Sequence, residues 1–585
     1  MSDATPSGAT PVKLSPVEKI KAASDYLRGQ IADELLEQDA GFGKDSIQLL
    51  KHHGTYQQDD RDIRNQMRQQ GQKGKALSMM VRTRIPGGRL TAEQFLAEID
   101  LGDQLGNGTM RLTTRQAIQH HGIPKGSLKD LIRRINEIQL STLAACGDVN
   151  RNVMCCPAPY TSPVYQELRD MTDRLVAHLE PQSKAYFEIW LRDSETGEKE
   201  LVGGAPESEI VEPIYGKTYL PRKFKTGLAL PEDNCIDIYT QDLGFLALVE
   251  DDHIVGYNVL VGGGMGTTPA NKKTYPALAK RMAFIRPDQV LDVAEAVVKV
   301  QRDHGNRQDR KAARMKYTVD RLGIDAFRAL VEEYCGQSLE PPHAIDVHEH
   351  EDHMGWDEQG NGKWFYGLNI ENGRIYDDDN VQLKAALREI CHTLQPGIRL
   401  TAHQSLLLTD LDEASKSTLM EILKKHGVKT TEEYSNVRRW SIACVAWPTC
   451  SLAITESERA LPGVMDELEP MLEDLDLQDE KFTVRMTGCP NGCARPYNAD
   501  IGLVGKAKNR YTVFLGGGRL GKRLGYIYKD LVERDELLPT LKPVFQMFKR
   551  DRDGDESFGD FCARLGHDGL KAELDPASAT EGDTA

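Results

Sequence analysis

The sequence has no long apolar run, and this absence excludes membrane-spanning functions. Nowhere do the 585 residues approach the ~18–20 consecutive apolar positions that a bilayer-crossing helix needs. The first residues, MSDATPSGATPVKLSP, contain no apolar segment typical of a secretory signal. Asp3 and the lack of arginine there are also wrong for a transit peptide. The cytoplasm is therefore the expected compartment.

The chain also lacks an excess of positive charge. Its 73 Lys+Arg face 89 Asp+Glu, which gives a formal net charge of −16. Nucleic-acid-binding proteins need a basic surface, so this balance argues against that class. Hydrophobic residues at 39% and charged residues at 28% are typical of a globular protein, and the length predicts three or four packing units.

A disulfide framework is not expected, because the chain has 11 cysteines, an odd number, and no export signal. Four of these cysteines nevertheless form the pairs Cys444-x5-Cys450 and Cys489-x3-Cys493. Thiolate pairs at short spacing bind metals in a reducing compartment. The gaps are wider than the two-residue gap that zinc sites favour, and they contain turn residues that would fold the backbone around a bulky centre. From spacing alone, an iron–sulfur cluster, a zinc site and unrelated core thiols all stay open.

Internal repetition is the strongest signal of organisation. Three blocks recur in the same order, and the first matches at four of six positions: Arg111–Gln116 with Arg399–Gln404, Ile85–Leu90 with Ile370–Ile375, and Asp242–Gly264 with Asp500–Gly518. We therefore predict an α+β fold built as a pseudo-twofold repeat of two large α+β units. The junction between the units is expected near Leu339–Met354, which contains Pro341-Pro342.

Basic residues form a second group with chemical potential. Arg82 and Arg84 lie two apart in a predicted strand, and Lys223 and Lys225 do the same in a predicted strand over Lys223–Leu230, so each pair is expected on one face. Arg111, Arg115 and Arg151 and a cluster of seven cations in residues 299–316 add to them. Local positive charge in an acidic protein predicts a site for an anion or a carboxylate-rich cofactor. A solvated helix face is the alternative interpretation of residues 299–316.

Two further patterns are weaker. Gly516-x-Gly518-x-x-Gly521 has the spacing of a dinucleotide fingerprint, but its repeat counterpart Gly262–Gly266 breaks that spacing. A turn with a close backbone approach is therefore favoured over nucleotide binding. His348-Glu-His350-Glu-Asp-His353 could bind a metal, yet it lies in the junction, where an exposed linker is the favoured interpretation.

Together these residues resemble the siroheme-containing members of the sulfite and nitrite reductase family. The resemblance runs from about Asp25 to Phe561, and its specific stretches are Tyr56–Arg64, Asn150–Val153, Tyr219–Lys225, Asp309–Lys311 and Thr487–Cys493. It implies three domains around the cofactors. The corresponding ranges are an N-terminal extension at 1–75, ferredoxin-like repeat halves at 76–145 and 355–425, a first siroheme and substrate unit at 146–340, and a second, iron–sulfur and siroheme unit at 426–575.

The resemblance also implies cofactors and site residues. It implies a 4Fe-4S cluster bound by Cys444, Cys450, Cys489 and Cys493, with Cys493 also the axial ligand of siroheme iron. It implies sulfite-binding cations at Arg82, Arg151, Lys223 and Lys225. It implies that siroheme carboxylates are contacted by Arg111, Arg115, Arg222, Arg310 and Lys311. Ala494 departs from a glycine found in some relatives.

The implied activity is the six-electron, assimilatory reduction of sulfite to sulfide. The Tyr56–Arg64 stretch favours the hemoprotein subunit of an NADPH-dependent complex, which receives electrons from a flavoprotein partner. Gly262–Gly266 and Gly492–Tyr497 are more typical of ferredoxin-dependent relatives, so ferredoxin stays open as the donor. Nitrite reduction is disfavoured by Lys225, where that branch tends to have asparagine. A non-catalytic iron–sulfur electron carrier is the alternative from a different class.

Overall fold

A computed structural model describes residues 13–182, 189–192, 196, 199–203, 212–268 and 271–574. The helices are α1 Pro16–Ala23, α2 Ile31–Glu34, α3 Lys44–Leu49, α4 Arg61–Gln69, α5 Ala92–Leu105, α6 Leu128–Glu137, α7 Pro163–His178, α8 Val290–His304, α9 Met315–Leu322, α10 Ile324–Cys335, α11 Leu383–Leu394, α12 Ser415–Lys425, α13 Asn436–Arg439, α14 Leu461–Asp474, α15 Leu537–Asp551 and α16 Phe558–Leu574. Across these described ranges, none of the helices combines the length and the apolar character needed to cross a membrane.

The strands alternate with these helices along the chain. They are β1 Thr55–Asp59, β2 Leu77–Thr83, β3 Arg89–Leu90, β4 Met110–Leu112, β5 Ile118–Ile123, β6 Ile189–Arg192, β7 Lys199–Gly203, β8 Thr226–Ala229, β9 Leu243–Glu250, β10 His253–Val261, β11 Lys280–Ile285, β12 Gly355–Glu358, β13 Trp364–Leu368, β14 Arg374–Ile375, β15 Gly397–Leu400, β16 Leu406–Leu411, β17 Ser441–Ala443, β18 Val484–Thr487, β19 Ile501–Ala507, β20 Arg510–Leu515 and β21 Tyr526–Glu533.

Two five-stranded sheets exchange one strand each. This reciprocal exchange has the symmetry of the predicted twofold repeat. Their orders are β1-β2-β5-β4-β14 and β12-β13-β16-β15-β3. The short strand β14 of the second repeat pairs antiparallel with β4 of the first, with Arg374 opposite Arg111. Reciprocally, β3 of the first repeat pairs with β15 of the second, with Arg89 opposite Arg399. The repeat blocks found in the sequence therefore lie where the two halves interlock.

A shared hydrophobic core holds these two sheets together. Side chains from both repeats contribute to one buried cluster, among them Ile85, Phe95, Leu368 and Leu387, each fully or almost fully buried. Apolar burial contributes about 25 cal/mol per Å² removed from water, so a core drawn from both halves couples their folding. The halves are consequently not independent of each other.

A second pair of sheets follows the same repeat. The four-stranded sheet has the order β11-β10-β9-β8, and the five-stranded sheet has the order β17-β18-β19-β20-β21. In each, a parallel pair is followed by an antiparallel hairpin: β8 with β9 and then β10, and β18 with β19 and then β20. The α+β fold class and the pseudo-twofold repeat are thus confirmed.

The two glycine-rich loops after β10 and β20 are close-approach turns, as favoured from the sequence. An added Cβ at Gly263 would lie 2.3 Å from the carbonyl oxygen of Gln241, and one at Gly517 would lie 2.2 Å from that of Ala499. The chain after Gly521 enters β21 rather than a helix. A dinucleotide fingerprint needs a helix N-terminus there for the pyrophosphate, so this loop does not have that structure.

Several local predictions require correction. The helix predicted over Asp320–Tyr334 is two helices, α9 and α10, separated at Gly323, whose φ is +81°. The strand predicted over Lys223–Leu230 begins only at Thr226, so Lys223 and Lys225 lie in the segment that leads into β8.

The exposed linker favoured for the histidine-rich junction is only partly correct, because His348 and Glu351 are exposed but the other two histidines are buried. His350 is 0% exposed and His353 is 9% exposed. The His350 ring stacks on His403 at 5.0 Å and packs edge-on against Trp440, while the neighbouring Asp352 pairs with Arg439 at 2.8 Å. Tertiary packing between the repeats buries His350, Asp352 and His353, and the composition of the segment gives no sign of it.

Candidate active site

The order of two neighbouring strands brings the four motif cysteines together. Cys444 directly follows β17, and the loop that contains Cys489 follows β18. These strands pair in parallel, with Ala443 opposite Met486, so both loops leave the same edge of the sheet. Cys489 is buried, Cys444 and Cys450 are partly exposed, and Cys493 is exposed.

The four sulfurs lie within electrostatic reach of one another. Burial raises the pKa of the Cys444 thiol, and Cys493, Cys450 and Cys489 raise it further. Burial and then Cys493 raise the pKa of Cys489 to about 11. Four thiols in one place can ionise together only if cations accompany them, because thiolates repel one another at short range.

Hydrogen-bond donors point at these sulfurs. The backbone N–H of Gly488 donates to Cys444 Sγ at 3.3 Å, and the side-chain amide of Asn491 donates to Cys489 Sγ at 3.3 Å. Donors of this kind stabilise sulfur that carries negative charge and tune iron–sulfur centres. Four convergent thiols with donors to sulfur fit a 4Fe-4S cluster, and they fit unrelated core thiols poorly.

Glycine is required on both sides of Cys489. An added Cβ at Gly488 would lie 2.5 Å from both Ala446 Cβ and the Thr455 carbonyl oxygen. Gly492 has φ +60°, in the left-handed region, and its added Cβ would lie 2.8 Å from the Tyr497 ring. The Thr487–Cys493 sequence therefore specifies a loop that larger side chains could not form.

Arg61 supports the other cysteine loop, and sequence reasoning gave it no role. Its guanidinium donates to the carbonyl oxygens of Pro448 at 3.2 Å, Cys450 at 2.9 Å and Ala453 at 3.3 Å. It also lies 5.7 Å from the centre of the Trp447 ring. The only signal was its place in the Tyr56–Arg64 stretch that carries the resemblance. The N-terminal extension thus braces the cysteine loop.

Arg82 and Arg151 are positioned by one turn. Arg82 Nη1 lies 2.8 Å from Cys146 Sγ, and Arg151 donates through Nε to the carbonyl oxygen of Gly147 at 3.3 Å. Burial and Cys146 raise the pKa of Tyr56, whereas Arg151 and Arg82 lower it. Arg84, by contrast, points elsewhere and pairs with Glu180.

Lys223 and Lys225 lie in the segment before β8, which contacts Arg151. Phe224 between them is buried, and its carbonyl oxygen accepts from the Arg151 N–H at 3.0 Å. Burial, then Arg314 and Arg151, lower the pKa of Lys223 to about 7, while Cys493 raises it.

Lys225 belongs to the same electrostatic group. Burial, then Arg115 and Lys223, hold its pKa well below the usual range. The four cations predicted to bind sulfite therefore form one electrostatic group, in which Lys223 interacts with Cys493. We call this group, Arg82, Arg151, Lys223 and Lys225, the cation chamber.

The residues predicted to contact siroheme carboxylates differ in their surroundings. Arg115 adjoins the cation chamber: it donates to Gln241 Oε1 at 2.7 Å, and burial lowers its pKa to about 9. Arg111 is almost fully buried, pairs with Glu458 at 2.7 Å and donates to the carbonyl oxygen of Ala443 at 2.9 Å. It therefore lies behind the Cys444 loop.

The remaining three predicted contacts are Arg222, Arg310 and Lys311. Arg310 forms a two-pronged ion pair with Asp148, at 2.7 and 3.0 Å. Burial and then Arg310 lower the pKa of Arg222 to about 10. Lys311 is exposed. The roles of all five residues toward siroheme stay predictions.

A buried ion triad locks the repeats around this site. Asp237, fully buried, pairs with Arg485 at 2.8 Å and also with Arg495. Burial alone would raise the pKa of Asp237, but the two guanidinium groups outweigh it and lower that pKa. Asp237 belongs to the first repeat and both arginines belong to the second. Breaking a buried pair costs about 3–5 kcal/mol, so the triad holds the Cys489–Cys493 loop against the first repeat.

Comparison with known proteins agrees with this geometry. The model of the nitrite and sulphite reductase 4Fe-4S domain matches residues 146–339 and 434–580, and that of the nitrite/sulfite reductase ferredoxin-like half domain matches residues 70–138 and 357–426. The sulfite reductase (NADPH) hemoprotein beta-component of Staphylococcus saprophyticus is 46% identical over 555 residues, covering 95% of this chain and 96% of that protein. The Bacillus subtilis protein of the same name is 45% identical over 553 residues, covering 94% and 95%.

A solved structure has the same fold. The NirA protein of Mycobacterium tuberculosis superposes with a TM-score of 0.75 at 26% identity, covering 95% of this chain and 98% of its own. Each family model matches twice, once in each repeat, as the twofold structure requires. Family models cover more than half of the sequence and the relatives align along nearly all of it, and on that basis the chain belongs to the nitrite and sulfite reductase family.

Proposed function

We propose that this chain reduces sulfite to sulfide in an assimilatory pathway, with siroheme and a 4Fe-4S cluster as cofactors. The observation that carries the proposal is the meeting of the four-cysteine edge and the cation chamber at Cys493. Thr114, beside Arg115, donates to the Cys493 carbonyl oxygen at 3.2 Å, and Cys493 raises the pKa of Lys223. The relatives named sulfite reductase (NADPH) hemoprotein beta-component support the substrate. When bound, the cluster and siroheme supply single electrons to a ligand, which matches a reaction of several one-electron steps.

The arginines and the lysines of the cation chamber contribute differently to the binding of a small oxyanion. Arg82 and Arg151 are fixed by the Cys146–Gly147 turn, and their planar guanidinium groups suit oxygen atoms that carry negative charge. Lys223 and Lys225 add two ammonium groups from the opposite segment. Burial first, and repulsion by neighbouring cations second, lower the pKa values of both lysines. A dianion relieves that repulsion, so the chamber favours sulfite over a neutral ligand.

The same lysines suit proton delivery. Reduction of SO₃²⁻ to S²⁻ takes six electrons and six protons and releases three water molecules. Lys223, with a pKa of about 7, can both hold and release a proton near neutral pH. Each S–O bond that breaks needs protons on the departing oxygen, and a lysine beside that oxygen supplies them. We assign Lys223 and Lys225 as proton donors and Arg82 and Arg151 as substrate-binding residues.

We further propose that electrons come from NADPH through a flavoprotein partner. In the described ranges, the one loop with dinucleotide-like spacing is a close-approach turn, so the chain offers no such site of its own there. A groove of about 1320 Å³ runs beside the Cys444–Cys450 loop, and Trp447, Pro448 and Thr449 line it. Its lining includes ten carboxylate residues against four Lys and Arg. This surface suits a donor with a basic docking face.

The test uses the purified chain with three electron donors. We expect an absorption spectrum with siroheme bands, and sulfite reduction with reduced viologen. We expect no oxidation of NADPH until a flavoprotein reductase is added. A cluster spectrum without siroheme bands would identify an electron carrier instead of an enzyme. Activity with ferredoxin but with no flavoprotein would replace the donor and keep the catalytic assignment.

A further inference from the structure

Four buried side chains with metal-binding atoms meet away from the cluster cysteines. They come from three loops: Cys156 precedes α7, Asp233 and Cys235 follow β8, and His353 precedes β12. One ligand atom from each lies within 4.8 Å of all the others. The exposed fractions are 2% for Cys156, 3% for Asp233, 3% for Cys235 and 9% for His353. We call this set, Cys156, Asp233, Cys235 and His353, the buried tetrad.

Distances within the buried tetrad approach those of a tetrahedral metal site. His353 Nε2 lies 3.4 Å from Cys156 Sγ and 2.9 Å from Asp233 Oδ2. Tetrahedral zinc, with bonds of about 2.0–2.3 Å, separates its ligand atoms by roughly 3.3–3.8 Å. The sulfur–nitrogen distance already falls in that range. The nitrogen–oxygen distance needs to lengthen by only a few tenths of an ångström.

Hydrogen bonds between these side chains hold their ligand atoms close to one another. His353 Nε2 faces both the Cys156 thiol and the Asp233 carboxylate. Further hydrogen bonds hold the loops themselves in place. The Cys235 N–H donates to Asp233 Oδ1 at 3.0 Å, and the Ala158 N–H lies 3.4 Å from Cys156 Sγ. Second contacts of this kind orient ligands toward a shared metal ion.

The buried tetrad lies at the junction between the two repeats. Three of its members belong to the first repeat, whereas His353 immediately precedes the first strand of the second repeat. The backbone of His353 is left-handed, with φ +58°, and it is packed so tightly that an added Cβ at Gly367 would lie 2.0 Å from its carbonyl oxygen. This conformation directs the junction inward. An ion bound here would join the two repeats at the junction.

We propose that the buried tetrad binds one zinc ion as a structural metal, separate from the 4Fe-4S cluster. Two thiolates, one imidazole and one carboxylate are a ligand set that zinc accepts. With four protein ligands and full burial, no coordination position is left for a substrate, which is the pattern of structural sites. Binding displaces the two thiol protons and the proton on His353 Nε2 into solvent, and no oxidation or reduction is involved.

The test measures metal in the untagged holoenzyme purified without chelator. We expect one zinc per chain by mass spectrometry, in addition to the iron of the cofactors. Zinc K-edge absorption should give two sulfur neighbours at about 2.3 Å and two lighter neighbours at about 2.0–2.2 Å. A zinc-free holoenzyme would overturn the proposal. So would a site with four sulfur neighbours, because zinc would then occupy the cluster cysteines.

Variants separate the buried tetrad from the cluster site. Cys235→Ser and His353→Ala should each lose zinc while the visible spectrum of the iron cofactors is retained. Cys391→Ser is the matched control, since Cys391 is equally buried on α11 and should keep the zinc. Conversely, Cys444→Ser should lose cluster iron and keep zinc. If the tetrad variants do not fold, the zinc content and the zinc K-edge spectrum of the unaltered holoenzyme decide the question by themselves.

Discussion

The hydroxyl of Thr114 donates a hydrogen bond to the backbone carbonyl of Cys493 at 3.2 Å, across 379 residues of chain. Thr114 lies in the repeat block Arg111–Gln116, whose Arg115 adjoins the cation chamber. This contact therefore joins the basic part of the site directly to the cysteine loop. A shift of either loop moves both halves of the site, and each substitution below has to be interpreted with that coupling in mind.

Replacement of Cys493 by serine should uncouple the two cofactors. Cys493 is the exposed member of the four cysteines and the one that faces Lys223. Cys493→Ser is expected to abolish sulfite reduction and to remove or alter the cluster and siroheme signals together, as measured by absorption spectroscopy and iron content. Cys562→Ser, at a buried position on α16, should retain both signals. A normal coupled spectrum and full activity in Cys493→Ser would contradict the bridging role.

Lys225 should matter more for sulfite than for nitrite. A hydrogen bond to a charged group contributes about 1.5–3 kcal/mol, which corresponds to roughly 10- to 150-fold in rate or binding. Lys225→Asn is therefore expected to lower sulfite turnover by that factor and to raise the ratio of nitrite to sulfite activity. Lys217→Asn, at an exposed position shortly before it, is the control and should leave both activities unchanged. Equal, unaltered rates with both substrates would remove Lys225 from the site.

The pH dependence should report Lys223. Its pKa is lowered to about 7 by burial and neighbouring arginines, so it is charged below that pH and loses its proton above it. We expect kcat/KM to fall as pH rises through about 7, and the fall in kcat to lie at higher pH because bound sulfite stabilises the ammonium group. In Lys223→Arg the charge persists, so binding at high pH should be retained while kcat drops. The ionisation of sulfite contributes equally to the pH profiles of the unaltered protein and of Lys223→Arg. Identical pH profiles for the two proteins would therefore show that Lys223 is not the titrating group.

Arg61 should protect the cluster kinetically. Arg61→Ala removes three hydrogen bonds to carbonyl groups of the Cys450 loop. Loss of about 1.5–3 kcal/mol of local stabilisation predicts roughly 10- to 150-fold faster opening of that loop. The measurement is the rate at which a chelator bleaches the cluster absorption. Arg68→Ala, on the exposed side of the same helix, should bleach at the original rate, and a similar rate in Arg61→Ala would show that the brace is unimportant.

Charge in the groove should affect only the physiological donor. Glu473 is an exposed residue in the groove lining, and Glu358 is an exposed residue outside it. Glu473→Lys is expected to slow the flavoprotein-dependent rate about threefold, with the difference disappearing at high salt, because rim charges act mainly on association. Turnover with reduced viologen should not change. If Glu358→Lys had the same effect, long-range net charge rather than this groove would be responsible.

Much of the site follows from local patterns. Cys489, Asn491 and Gly492 specify a loop around sulfur because the turn residues act over a few positions, and the repeat blocks are visible because each half forms the same local structure. The strand bounds at Lys223 were wrong, since pairing with Asn150 and packing of Phe224 depend on distant segments. Arg61 could not be assigned a role because its partners lie 387 to 392 residues away.

The sequence by itself determined the chemistry available: four spaced thiols, a set of arginines and lysines, and a duplicated α+β unit. Only the tertiary structure decided which of these groups meet. The parallel pairing of β17 and β18 places the two cysteine loops on one edge, and the exchange of β3 and β14 interlocks the repeats. It also buries His353 beside Cys156 and Cys235, although the junction composition favoured an exposed linker. The physical reason is that residue spacing governs local turns, whereas strand order and burial depend on packing between segments far apart in the chain.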